Sequence, residues 1–206
     1  FLQRNMLSVP LVTKSFRNDV PIEKLVFKYS KDWVAQGHES LLQHKVLSAD
    51  LGTAGSTSES FIEKLTFDLY DSKGNVLQYT KTNGIPVSVV WGYNKTKPIA
   101  VVEGAFYSAI SPFVTEIVNY SDSDAIEAVN NDETDLLEKL DVFRKNPNFN
   151  NYHITTYTYD LQVGLRSTTP ETGHRESYLY DNVNKLKKVI DHTGKTIKEI
   201  NYNIKQ

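Results

Sequence analysis

The chain has 206 residues, with 23 Lys and Arg against 25 Asp and Glu and a formal net charge of −2. That length allows one large domain or two small ones, and the charge leaves no basic footprint for nucleic acid or for an anionic membrane. With no cysteine and no apolar run near the roughly 20 residues of a membrane helix, disulfides, thiolate metal sites and a membrane-spanning helix are excluded. Tyrosine is the compositional outlier, 12 residues against 2 Trp and 1 Met. Tyr favours strands, where its ring is buried and its hydroxyl reaches a polar edge, so the composition leans towards β. The chain begins at Phe1 with no signal peptide, which reads as a processed or excised piece.

In chain order, residues 1–60 form an N-terminal β region. The segment Ile22-Glu23-Lys24-Leu25-Val26-Phe27 recurs forty positions later as Ile62-Glu63-Lys64-Leu65-Thr66-Phe67. The period-two alternation of Leu25, Phe27 and Tyr29, and of Leu65, Phe67 and Leu69, predicts strands with one buried face. Residues Ser48 to Ser60 are rich in Gly, Ser and Thr and predict a mobile loop or hairpin tip.

Residues 61–103 form a first hairpin unit. Tyr70-Asp71-Ser72-Lys73-Gly74-Asn75 places an Asp where it accepts backbone N–H groups two or three residues on, and a Gly where a short hairpin demands positive φ. Asn83-Gly84 makes the second turn, and the returning strand ends at Tyr93-Asn94.

Residues 104–150 read as a helical insert. Phe106, Ile110, Phe113, Val114, Ile117 and Val118 fall at helical spacing. Ser111-Pro112 serves either as N-cap and first helical residue or as a kink. Ser121 to Asp135 is acidic and polar, read as a loop with at most a short helix. Leu136, Leu137, Leu140 and Phe143 then make a second amphipathic stripe, closed by Arg144-Lys145 and stopped by Asn146-Pro147. Ile110, Val114, Ile117, Leu136, Leu140 and Phe143 are expected to face inwards.

Residues 151–206 form two further hairpin units. Tyr159-Asp160 runs to Gly164 with one extra residue, and Tyr180-Asp181 runs to Asn184. The second turns are Pro170–Gly173 and Asp191–Gly194, and the last strand reads Ile200 to Lys205. Intervals of 21 to 23 residues between the Tyr positions, each carrying two turns, imply stacked antiparallel hairpins that cannot bury a face alone.

Thr155 to Pro170 resembles the YD repeat of RHS-type bacterial proteins, and Tyr178 to Gly194 continues it in register; the resemblance is fair over 62–104. The implied fold is β-rich (α+β), with stacked antiparallel hairpins of YD-repeat type and an inserted helical hairpin. The implied function is a structural shell or scaffold segment of an exported protein, secreted or on the outer surface of a Gram-negative bacterium, with a toxin-bearing parent as one form. The implied partners are the rest of a longer parent chain or another subunit. Asn replaces Asp at Tyr93-Asn94 and Tyr202-Asn203, which favours a hydrogen-bonding role for the repeat Asp over a charge role.

Asp71, Asp160 and Asp181 are read as turn caps, with Gly74, Gly84, Gly164, Gly173 and Gly194 as turn glycines. The five histidines, His38, His44, His153, His174 and His192, show no metal-binding spacing. Asp122-Ser123-Asp124 with Asn130, Asn131 and Asp132 lacks the Gly and terminal Glu of a calcium loop. No catalytic constellation or cofactor motif is present, so the chain reads as non-enzymatic. Trp33, Trp91, Tyr157 and Tyr178, with Tyr107, Tyr120 and Tyr152, fit either cross-strand packing or a sugar-stacking platform; the latter makes a carbohydrate- or protein-binding surface module the alternative function.

Overall fold

The computed structural model describes residues 9–35, 37–38, 41–51, 60–126 and 133–202. They form two compact units, Phe1–Val87 and Ser88–Gln206. In each unit the strands are antiparallel and the sheet order is the chain order, so the fold is β-rich.

The first unit carries β1 (Val12–Arg17), β2 (Val20–Ser30), α1 (Asp32–Ala35), β3 (Leu42–Asp50), β4 (Ile62–Tyr70) and β5 (Val76–Lys81). Asn18 and Asp19, at φ 50 and 61, join β1 to β2. Paired left-handed residues of this kind twist a two-residue turn the way the strands twist. The repeated hexapeptide supplies parts of β2 and β4, which flank β3: Phe27 and Leu65 both pair with Val46. Trp33, Val46, Ala49, Tyr70 and Val87 are buried. All six residues of β1 are exposed. Residues 52–59, most of the predicted Gly/Ser/Thr loop, lie outside the described residues.

The strand β6 (Pro86–Gly92) begins in the first unit and ends in the second. The second unit continues with β7 (Lys97–Glu103), α2 (Tyr107–Ile110), a 3-10 turn at Ser111–Phe113, α3 (Thr115–Asp124), α4 (Thr134–Arg144) and a 3-10 turn at Pro147–Phe149. It ends with β8 (His153–Asp160), β9 (Gly164–Thr169), β10 (Glu176–Tyr180), β11 (Leu186–Ile190) and β12 (Thr196–Glu199). The strands on either side of the helices pair directly, Ala100 with Thr156 and Val102 with Ile154. Ile110, Val114, Ile117, Leu136, Leu140 and Phe143 are all buried, in one core with Val90, Ile99, Ala100, Val102, Phe149 and Ile154.

Three expectations change. The segment from Ser121 is not loop at its start, because α3 runs to Asp124; Ser121, Ser123 and Asp124 are poor helix formers, and the buried hydrogen bonds that Ser121 and Asp124 accept from Tyr93, in the β6–β7 turn, hold them there. Of the two roles offered for Ser111-Pro112 the N-cap is not seen: Ser111 begins a 3-10 turn with Pro112 that interrupts the helical run between α2 and α3, as the kink alternative expects. Among the described residues the last strand is Thr196–Glu199, and Ile200, Asn201 and Tyr202, the described part of the expected Ile200–Lys205 strand, lie outside it. Its partner β11 starts at Leu186, where the turn ties up Lys185, so the ladder ends with the Ile200 amide donating to the Lys187 carbonyl. Residues 203–206 lie outside the described residues.

Candidate functional site

The feature that recurs is a turn. At Asp71 one carboxylate oxygen accepts the amides of Lys73 (2.8 Å) and Asn75 (2.9 Å). At Asp181 it accepts those of Val183 and Lys185, both at 2.9 Å. At Asp191 it accepts those of Thr193 (2.9 Å) and Lys195 (3.0 Å). In all three the Asp amide donates to the carbonyl four residues on. The fourth residue is left-handed each time: Gly74 at φ 83, Asn184 at 59 and Gly194 at 84. Asp160 is the variant with an extra residue, accepting Gln162 and Val163 before Gly164. Gly84 and Gly173 are the left-handed residues of the other hairpin turns.

The Tyr before the Asp has its own task. The Tyr70 hydroxyl donates to the Gln43 carbonyl at 2.6 Å, and Tyr180 to Leu165 at 2.7 Å. Each ring therefore ties its turn back to an earlier strand. Gly164 lies under the Tyr180 hydroxyl, 3.3 Å from where a Cβ would sit. Burial raises the phenol pKa of Tyr70 and Tyr180, and that of Tyr159 to about 12, so all three remain donors at neutral pH.

The Lys185 and Val183 amides hold the Asp181 carboxyl below its ordinary range, and the Thr193 hydroxyl and Lys195 amide do so for Asp191. A lowered carboxyl pKa stabilises the fold above the unfolded-state value near 4, and that stability is lost as pH falls through the folded value. Asp181→Asn keeps an acceptor oxygen but cannot titrate. The variant should keep its turn, while amide exchange of Val183 and Lys185 loses the acceleration that wild type shows below about pH 4. Equal acceleration in both proteins would refute this.

A second polar cluster joins α3 to the β6–β7 turn. Tyr93, Asn94 and Lys95 are all left-handed, at φ 51, 58 and 62. Three consecutive non-glycine residues in that region are strained, and they persist only when fixed from outside. Ser121 Oγ accepts the Tyr93 amide (3.2 Å) and Asp122 accepts the Asn94 amide (2.6 Å). The Tyr93 hydroxyl donates to Asp124 (2.8 Å) and accepts the Tyr159 amide (2.9 Å). Burial raises the Tyr93 pKa. Thus Asp122 and Asp124 brace a strained turn; Asn130, Asn131 and Asp132 lie outside the described residues. Nearby, burial pushes the Glu133 carboxyl up, opposed by the Thr158 hydroxyl and by Arg166, whose Nε is 3.6 Å away.

Trp33 is 6% exposed, its ring 5.1 Å from that of Tyr70, so no face is open to a sugar. Trp91, Tyr157 and Tyr178 are half-buried in the second unit. Each alternates with residues that face the helices (Val90, Thr156 and Thr158, Ser177), which puts the three on the other face of that sheet. A separate 460 Å³ cavity between α3 and α4 is lined by Phe113, Ile117, Phe143 and the Lys139–Glu116 ion pair.

Among the described residues no group of three or more His, Asp and Glu is placed to hold a metal, and no helix is long and apolar enough to cross a membrane. The sequence reading missed Arg144, which donates to the carbonyls of Ile154, Thr169 and Pro170. Nothing in its Arg-Lys pair separates such a clamp from an ordinary helix C-terminus.

No family model matches the sequence, and no curated protein matches it. Among solved structures the chain is similar to a chain of TcdB2–TccC3–Cdc42, at 11% identity and a TM-score of 0.41 over 88% of this chain and 8% of that one. It is similar also to chains of TcdB2–TccC3–TEV (13%, TM-score 0.42, 93% and 8%) and TcdB2–TccC3 (12%, 0.40, 93% and 9%). The chain spans less than a tenth of each of those chains. Likeness at this level assigns neither a family nor a function.

Proposed function

We propose that this chain is a non-enzymatic structural segment of an exported, cell-surface repeat protein of YD type, part of a shell or scaffold in a longer parent that carries a toxin in some forms. The observation that carries this reading is the recurrence of one turn, with matching hydrogen bonds and a left-handed fourth residue, at Asp71, Asp181 and Asp191. A hairpin built on such a turn buries little alone, and arrays of them gain stability from their neighbours. The exposed outer strands β1 and β12 fit a sheet meant to be continued by more of the parent or covered by another subunit.

An antibody raised against the chain, used on fractionated cells of the source bacterium, tests the reading. The expected band belongs to a chain much longer than 206 residues, lies in the surface or secreted fraction, and is degraded when protease is added to intact cells. A cytosolic band of this length would overturn it.

A further inference from the structure

His174 and His192, 18 residues apart in sequence, are brought face to face at one end of the second unit's sheet. Their ring centroids are 4.7 Å apart and the rings are within 15° of parallel. We propose that they form a two-histidine site for a borderline transition-metal cation of the Zn²⁺, Ni²⁺ or Cu²⁺ class.

Both residues leave hairpin turns on the same end of the sheet, β9 to β10 and β11 to β12. Both turns are held from either side. His174 lies between Gly173, whose amide donates to the Pro170 carbonyl, and Arg175, whose guanidinium bonds Thr169 Oγ1 (3.0 Å) and Asp141 (2.7 Å). His192 is the second residue of the Asp191 turn, whose carboxylate fixes Thr193 and Lys195. The backbone positions of the two imidazoles are therefore set before any ion arrives, which lowers the cost of binding.

The ring nitrogens of both side chains take part in no hydrogen bond or ion pair among the described residues, and both side chains are exposed. His153, at the same end, differs: its Nδ1 is paired with Glu171 at 2.5 Å. Neutral imidazole suits Zn²⁺, Ni²⁺ and Cu²⁺ better than it suits Mg²⁺ or Ca²⁺. Bonds of about 2.0–2.1 Å at a tetrahedral ion put two ligand nitrogens about 3.3 Å apart. Small side-chain rotations reach that spacing from a parallel pair with open solvent around it. Water completes the coordination, and the Asp191 carboxylate beside His192 adds negative potential.

The test is calorimetric titration of the tag-free chain with ZnCl₂, followed in parallel by the imidazole Cε1–H NMR signals. One ion per chain is expected, with a Kd on the order of 10 µM and with the His174 and His192 signals shifting together. His174→Asn and His192→Asn should each weaken binding by about tenfold or more, while His153→Asn leaves it unchanged. Unaltered melting temperatures establish that the variants fold, as expected for exposed turn residues. Absence of binding at about 1 mM Zn²⁺, or equal binding by the doubly substituted chain, overturns the proposal.

Discussion

Gly92→Ala is expected to destabilise the second unit by about 3 kcal/mol, lowering its melting temperature by about 10 °C. A Cβ at this position would lie 2.1 Å from Ser121 Oγ, 2.8 Å from Ser121 Cβ and 2.9 Å from Ile99 Cγ2. None of these atoms can yield cheaply. Ser121 is fully buried, and its hydroxyl both donates to the Val118 carbonyl and accepts the Tyr93 amide. Ile99 is fully buried in the core. Moving α3 away would also break the Asp122 and Asp124 bonds that hold the left-handed run at 93–95. Gly173→Ala, in the same unit, is the matched control: it meets nothing within 4 Å, and only its φ of 81 opposes a side chain, a cost of about 1 kcal/mol. Calorimetry of the two variants separates close packing from backbone strain. Equal melting temperatures would show that the helix–sheet seam at Gly92 is not tight.

The β pattern was legible because its signals are local. Asp71, Asp181 and Asp191 announce their turns by residue type and offset, and the left-handed fourth position follows from Gly or Asn. The inward face of the helices was equally readable, since Ile110, Ile117, Leu136 and Leu140 repeat at helical spacing. What escaped depends on contacts between distant segments. Ser121, Asp122 and Asp124 read as loop residues by propensity, and only the amides of Tyr93 and Asn94 and the Tyr93 hydroxyl, about thirty positions away, give them a reason to be helical. The pairing of His174 with His192 arises from sheet register, which no spacing rule for helices detects. Trp33 looked available because aromatic character says nothing of burial, which here is set by packing against Tyr70. The alternation that begins at Ile200 is a sound local signal, yet Ile200, Asn201 and Tyr202 lie outside the strand, because the partner strand starts at Leu186 and the paired register stops at Lys188 with Glu199.

Arg144→Met is expected to cost about 3 kcal/mol and to loosen α4 from the sheet. The guanidinium reaches from the last turn of α4 to three carbonyls, those of Ile154 on β8, Thr169 at the end of β9 and Pro170 just beyond it. The sheet face beneath the helices is unusually polar, with Thr156, Thr158, Ser167 and Thr169 buried there. Thr158 and Ser167 satisfy one another through hydroxyls 2.7 Å apart, and Arg144 donates to the three carbonyls. Met preserves the length and apolar stem of the side chain but leaves those acceptors without their charged donor. Burial disfavours the guanidinium charge, and the nearby Asp141 carboxylate opposes that effect. Arg144→Lys should recover only part of the loss, because an ammonium cannot present a planar fork to acceptors on two strands. Arg175→Met removes the neighbouring pair with Asp141, which is partly open to solvent, and should cost less than about 1 kcal/mol. Amide exchange then localises the effect: protection should fall along α4 and at Thr156 and Thr169, with the first unit unchanged. If Arg144→Met and Arg175→Met melt alike, the helix is held by its apolar face alone and the clamp contributes nothing.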